Sequence, residues 1–341
     1  MYNRKLMEEK ILEEWLNEPP APMENIGFQP DELVRCDKCA RANSPTKPNC
    51  LYCGAELEIS EAQGRFLRPN LRRLEAWEKG CNLIIKPSAA SFDSSKIVEI
   101  GRILQLETEI LQKIIEAGKP LPVARVESEN EAQLAQNYLR NFGIESFIVS
   151  DENLRLEKSP RRLRGIKFFD ENLILILFNR DEIVEISKEN LALIITGAIF
   201  ERRIEATETY RKKGENKILD ATETSSDESL IDVYSREDSI GWRISAKGFD
   251  FSCLAAEKAM LAKDNIVKLA DKFAQFAPNA EYVDDYRRVR EYLGTVWEVE
   301  RKIDSQGLKR TGIGKFNLGN ITTVNNLSQF TRYSRLRRHL L

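Results

Sequence analysis

Histidine is nearly absent: His339 is the only one in 341 residues. Histidine is the usual general base near pH 7 and the commonest partner of a serine or cysteine nucleophile. Its scarcity argues against a Ser-His or Cys-His enzyme and against a histidine-built catalytic metal site. Long apolar runs are missing too. The longest, Leu173–Phe178 and Leu191–Phe200, fall far short of the roughly 20 residues that a membrane-spanning helix needs. The stretch MYNRKLMEEKILEEWLNEPP carries acids where a secretion signal would be apolar. Net charge is almost nil, with 52 Lys and Arg against 54 Asp and Glu, so overall charge selects no partner. No phosphate loop, dinucleotide fingerprint or serine elbow occurs. These absences predict a cytoplasmic, non-enzymatic protein without a transmembrane segment.

Six cysteines are present. Cys36, Cys39, Cys50 and Cys53 form two CxxC pairs with the spacing C-x2-C-x10-C-x2-C. Paired knuckles without an export signal point to metal rather than disulfides. Four thiolates close a tetrahedral shell around one zinc ion and leave no open position, so the expected zinc is structural. The segment is too short for a hydrophobic core, so metal binding supplies most of its folding free energy. Cys81 and Cys253 read as small core residues.

The residues RCDKCARANSPTKPNCLYCGAEL, with Asn43, Gly54 and Leu57, resemble short bacterial-type zinc ribbons. Their spacing is also similar to the Ran-binding-protein type of zinc finger, some members of which bind single-stranded RNA or ubiquitin. Val34 stands where that family has Trp, and Ala40-Arg41 where ubiquitin-binding members carry Thr-Phe. The resemblance therefore implies metal binding rather than a particular partner.

The periodicity predicts an α+β multidomain chain. Residues 1–30 hold a short amphipathic helix over 2–18 and a proline-rich link, 31–60 the zinc ribbon, and 61–80 a helical linker. Residues 81–155 read as a small β-α-α-β-α-β sheet domain. Its strands are NLIIK, PVARV and ESFIV, and Ser128-Glu129-Asn130-Glu131 is a capping box. This segment resembles the C-terminal domain of the bacterial ribosomal stalk protein and the Clp protease adaptor. Residues 165–277 read as an antiparallel β barrel capped by a long helix from about Leu254 to Phe276, with a polar loop over 211–229. That pattern is similar to a pleckstrin-homology-type domain. Residues 278–341 read as one more helix, marked by Tyr286, Val289, Leu293, Val296 and Ile303, followed by a basic tail.

Cations cluster in three places: Arg65, Arg68, Arg72 and Arg73; then Arg161, Arg162 and Arg164; then Arg332, Arg335, Arg337 and Arg338. In the last cluster Phe330 and Tyr333 are interleaved with the arginines, a composition able to follow a phosphate chain and stack on bases. The expected function is a zinc-binding adaptor or scaffold with a protein partner. The alternative is a nucleic-acid- or ribosome-associated protein that uses these clusters. Neither reading sets an oligomeric state.

Overall fold

The computed structural model describes residues 33–45, 49–55, 57–58, 71–72, 74–75, 77–87, 93–178, 182–209, 217–312 and 315–341. The helix expected over 2–18, the cations Arg65, Arg68 and Arg73, and Asn179-Arg180-Asp181 lie outside the described residues. The chain divides into two compact units, Met1–Arg68 and Pro69–Leu341.

The first unit contains a two-stranded antiparallel ladder, β1 (Val34–Arg35) with β2 (Ala42–Asn43). Val34 and Leu57 are buried against Cys36 and Cys50. So few apolar side chains cannot offset the entropy of ordering the segment, which is why the cysteine cluster matters to its stability.

The larger unit starts with the expected order: β3 (Cys81–Ile85), α1 (Ser94–Leu104), α2 (Thr108–Glu116), β4 (Leu121–Val126), α3 (Glu129–Asn141) and β5 (Ser146–Ser150). The three strands form an antiparallel sheet in the order β4-β3-β5. Ser128 caps α3 by accepting from the Glu131 N–H, and Glu131 reaches back to the Glu127 N–H. Gly143, at φ +80°, turns the chain out of the helix. Over 71–80 the described residues form turns and extended backbone, not the expected helix.

A second, curled sheet of nine strands follows. Its members are β6 (Arg161–Phe168), β7 (Asn172–Leu177), β8 (Ile183–Ser187), β9 (Leu191–Thr209), β10 (Lys217–Ser235), β11 (Trp242–Ser245), β12 (Glu281–Val283), β13 (Glu300–Gly312) and β14 (Lys315–Asn325). The order is β13-β14-β9-β10-β11-β6-β7-β8, with β12 also on β9. Two pairings, β11 with β6 and β12 with β9, are parallel. The sheet is therefore an open half-barrel rather than the closed antiparallel barrel expected. The first half of β9 is apolar throughout because both its faces are covered. Leu193 and Ile195 join the core shared with β3–β5, and Ile194 joins the core under α4 (Ala262–Phe276).

Four more differences from the sequence reading have physical causes. The expected loop 211–229 is strand from Lys217 onward. The helix expected from Leu254 is a 3-10 turn over Phe251–Glu257, and α4 starts only at Ala262. Ala255, at φ 48° and ψ −121°, breaks the helical run between them. The expected helix from Tyr286 through Ile303 stops as α5 (Tyr286–Leu293), and Ile303 lies in β13. The basic tail is the β13–β14 hairpin followed by α6 (Leu327–His339). This last helix buries Phe330, Tyr333 and Leu336 in the core that also holds Leu83, Leu121 and Trp297. Gly197 on β9 permits that packing, since a Cβ there would come within 2.7 Å of the Phe330 ring. The segments read as separate domains over 81–155, 165–277 and 278–341 thus pack as one unit.

Beyond this core, the second half of β9 and the first half of β10 run on together with β13 and β14 as a four-stranded antiparallel blade. Its outer strands β10 and β13 are exposed along most of this length, and its inner strands are half-buried.

Candidate metal centre

The two cysteine knuckles are built alike. The carbonyl of Cys36 accepts from the Ala40 N–H at 2.7 Å, and that of Cys50 from the Gly54 N–H at 2.9 Å. The N–H of Cys36 returns to the Arg41 carbonyl, and that of Cys50 to the Ala55 carbonyl. Each turn needs a left-handed residue just after its second cysteine. Gly54 supplies it at φ +70°, and Ala40 does so at φ +57°. Asn43, almost fully buried, ties the two together. Its side-chain amide donates to the Arg41 carbonyl at 2.8 Å, and its oxygen accepts from the Leu51 N–H at 2.9 Å. The Arg41 guanidinium lies 4.7 Å from the centre of the Tyr52 ring.

This frame brings the four sulfurs within 4.8 Å of one another. Cys36 and Cys53 are 3.5 Å apart, and Cys39 and Cys50 are 3.6 Å apart. Sulfurs bound tetrahedrally at about 2.3 Å would sit about 3.8 Å from each other. The donor set therefore fits one metal ion without rearrangement of the backbone. Burial opposes ionisation of Cys50, but the N–H groups of Tyr52 and Cys53 and the thiols of Cys39 and Cys53 outweigh it and bring its thiol down to about 6. The Arg41 backbone favours the Cys39 thiolate, yet burial and the thiols of Cys50, Cys53 and Cys36 together push Cys39 up to about 12. One thiolate is thus prepared in advance, and an arriving cation must displace the proton of Cys39.

The other expected site residues that are described, Arg72, Arg161, Arg162, Arg164 and the arginines of α6, lie in the larger unit and are scattered. Arg72 grips Glu78 with both terminal nitrogens at 3.1 and 2.9 Å and also reaches Glu127. Arg161 pairs with Asp238 and stacks on Trp242. Arg162 lies over Phe178 and donates to the Lys247 carbonyl, whereas Arg164 is exposed. The four arginines of α6 are turned inward. Arg332 binds Asp151 at 2.5 Å, and Arg337 binds Glu281. Arg335, only 2% exposed, donates to the carbonyls of Ser239 and Lys158, and Arg338 to those of Ser235, Arg236 and Asp238. These contacts fasten α6 to the rest of the unit.

No motif or spacing marks the group that organises this unit. Asp151 is buried and accepts from Arg125, Arg332, Asn82 and the Gly80 N–H. Asn82 in turn accepts from the Trp297 indole at 2.7 Å. Asp151 forms part of the wall of a cleft of about 540 Å³ that also touches Trp77, Arg243, Thr331 and Arg332. With its lone pairs taken by guanidinium, amide and backbone donors, Asp151 is poorly placed to act as a base. Arg243 is likewise committed, holding Asp232 through two bonds of 2.7 Å.

No protein family, curated protein or solved structure matches the chain. The likeness to the stalk and pleckstrin-homology types therefore rests on element order alone. Among the described residues, no helix is long and apolar enough to cross a membrane.

Proposed function

We propose that the protein is a non-enzymatic adaptor or scaffold whose small module is stapled by one zinc ion and whose blade is its main docking surface. In this reading Cys36, Cys39, Cys50 and Cys53 hold the zinc in a closed shell, so the ion shapes the module and does no chemistry. Residues 81–155 act as a stalk- or Clp-adaptor-like module and 165–277 as a pleckstrin-homology-like one, with element order as the support. The observation that carries the proposal is the blade. Register places Ile204, Ile218, Ile303, Leu308, Phe316, Leu318 and Val324 on one of its faces. Ile218 and Ile303 are 60% exposed and Leu308 54%. On that face the exposed apolar side chains are interleaved with Arg202, Glu208, Glu223 and Arg301, and their exposure is the support for reading it as an interaction surface.

The test is affinity capture at physiological salt with the intact chain and with an Ile218→Asp/Leu308→Asp variant. A partner retained by the first and lost by the second is expected. Recovery of no partner, or equal recovery by both, overturns the reading. The alternative, a nucleic-acid- or ribosome-associated protein, would rely on Arg162 and Arg164, which are exposed, rather than on the largely buried α6 arginines. It predicts single-stranded RNA binding that falls steeply between 50 and 200 mM salt, on the order of ten-fold or more.

A further inference from the structure

The blade has two open edges. Among the described residues, β10 pairs on its outer side only through Leu230–Val233, with β11, which leaves Lys217–Ser229 without a neighbouring strand. At the opposite side β13 pairs, among the described residues, with β14 alone. Open edges present rows of unpaired N–H and C=O groups, ready to accept another strand. Here the two edges carry opposite charge. Lys217–Ser229 holds Asp220, Glu223, Asp227 and Glu228 against Lys217. Glu300–Gly312 holds Arg301, Lys302, Lys309 and Arg310 against Glu300 and Asp304.

Strand direction fits the same pairing. β13 runs antiparallel to β14, β14 to β9, and β9 to β10. A second copy set beside the first in the same orientation therefore offers its β13 antiparallel to β10. Extending each cross-strand row into that copy keeps every side chain on its own face, so the two faces of the blade continue from one copy to the next. Two-fold pairing of like edges would instead set carboxylates against carboxylates, or cations against cations, and like charges across a strand pair are destabilising.

We infer that copies of this chain join head to tail, the acidic β10 edge of one pairing with the basic β13 edge of the next to form a continuous sheet. This rests on the reading of the blade as a docking surface and names one occupant for its edges. Because the interface is heterologous, each added copy leaves both kinds of edge free, and assembly proceeds past the dimer to rings or filaments.

The experiment is sedimentation velocity on the full-length, metal-loaded protein, over a concentration series at low salt and at 0.5 M salt. Species larger than a dimer are expected at low salt, with association weakened at least ten-fold at high salt. Two variants then test the edges: Asp220→Lys/Glu223→Lys/Asp227→Lys makes both edges basic, and Arg301→Glu/Lys309→Glu makes both acidic. Each alone is expected to be monomeric, and an equimolar mixture to assemble. Restoration on mixing shows that the variants are folded. A monomeric parent at every concentration, a parent that stops at a dimer, or a mixture that stays monomeric overturns the inference. A monomeric parent that still captures a partner through Ile218 and Leu308 sinks self-assembly while leaving the adaptor reading intact.

Discussion

Ala40 and Gly54 occupy the same place in the two knuckles, and exchanging them tests whether backbone conformation tunes metal affinity. A left-handed backbone costs a residue bearing a Cβ roughly 1–2 kcal/mol. Glycine avoids that cost but loses more freedom on folding, by roughly 0.5–1 kcal/mol. Ala40→Gly should therefore stabilise the folded module by about 0.5–1 kcal/mol. A Cβ built on Gly54 meets no atom within 4 Å, so Gly54→Ala carries the backbone cost without a clash. Its effect should be equal in size and opposite in sign. Folding of so small a module is driven by the metal, so these energies appear in zinc affinity as roughly 2–5-fold changes in Kd. Competition against a chromophoric chelator reads them directly. Ala40→Gly should tighten zinc binding, Gly54→Ala should weaken it, and the double exchange should return close to the parent. Both single changes moving Kd in the same direction, or Ala40→Gly weakening binding, would refute the reasoning.

Other outcomes follow from the same contacts. Cys50→Ser should remove one equivalent of zinc, measured by elemental analysis of the purified protein; full retention of metal would overturn the site. Asn43→Ala removes one hydrogen bond within the first knuckle and the one that joins it to the second, at about 1–2 kcal/mol in total, and should raise the zinc Kd roughly 5–30-fold. Zinc affinity should fall as pH falls, because protons compete for the thiolates. With Cys50 ionised above about 6, the slope should steepen below that value, where its proton must also be displaced; a pH-independent Kd would contradict this. Asp151→Ala leaves the buried Arg125 guanidinium without its carboxylate, which should cost about 3–5 kcal/mol in urea unfolding; a loss below about 1 kcal/mol would show that the network is dispensable.

The sequence was legible where the residues carried a distinctive period or spacing. The CxxC pairs located the metal centre, and Ser128 with Glu131 located the start of α3. The period-3.6 runs around Ile97 and Ile114 gave the helices of the first sheet domain. The run Leu191–Phe200 gave a strand, though not the two cores that cover its faces. β10 was hidden because its first half has solvent on both sides. Asp220, Thr222 and Ser226 alternate with residues that are just as polar, so no apolar signal marks the strand. α6 was missed for the opposite reason: its arginines and aromatics suggested a basic tail able to follow a phosphate chain, but each guanidinium reaches carbonyls or carboxylates of the unit while Phe330 and Tyr333 enter the core. Asp151 is one acid among many in the sequence. Only folding brings Arg125 and Arg332 to it from 26 and 181 residues away.

Those long separations have a kinetic consequence. Trp297 bonds to Asn82 across 215 residues, and Arg332 to Asp151 across 181. Chains dominated by such distant contacts fold slowly, because much loop-closure entropy is lost before any contact rewards it. The core around Leu83 and Trp297 cannot close until α6 has been synthesised and docked. Until then a ribosome-bound chain exposes the apolar strand Leu191–Phe200 as well as the open edges of β10 and β13. Chaperone demand during synthesis, rather than the final stability of the fold, should therefore limit how much of this protein a cell accumulates.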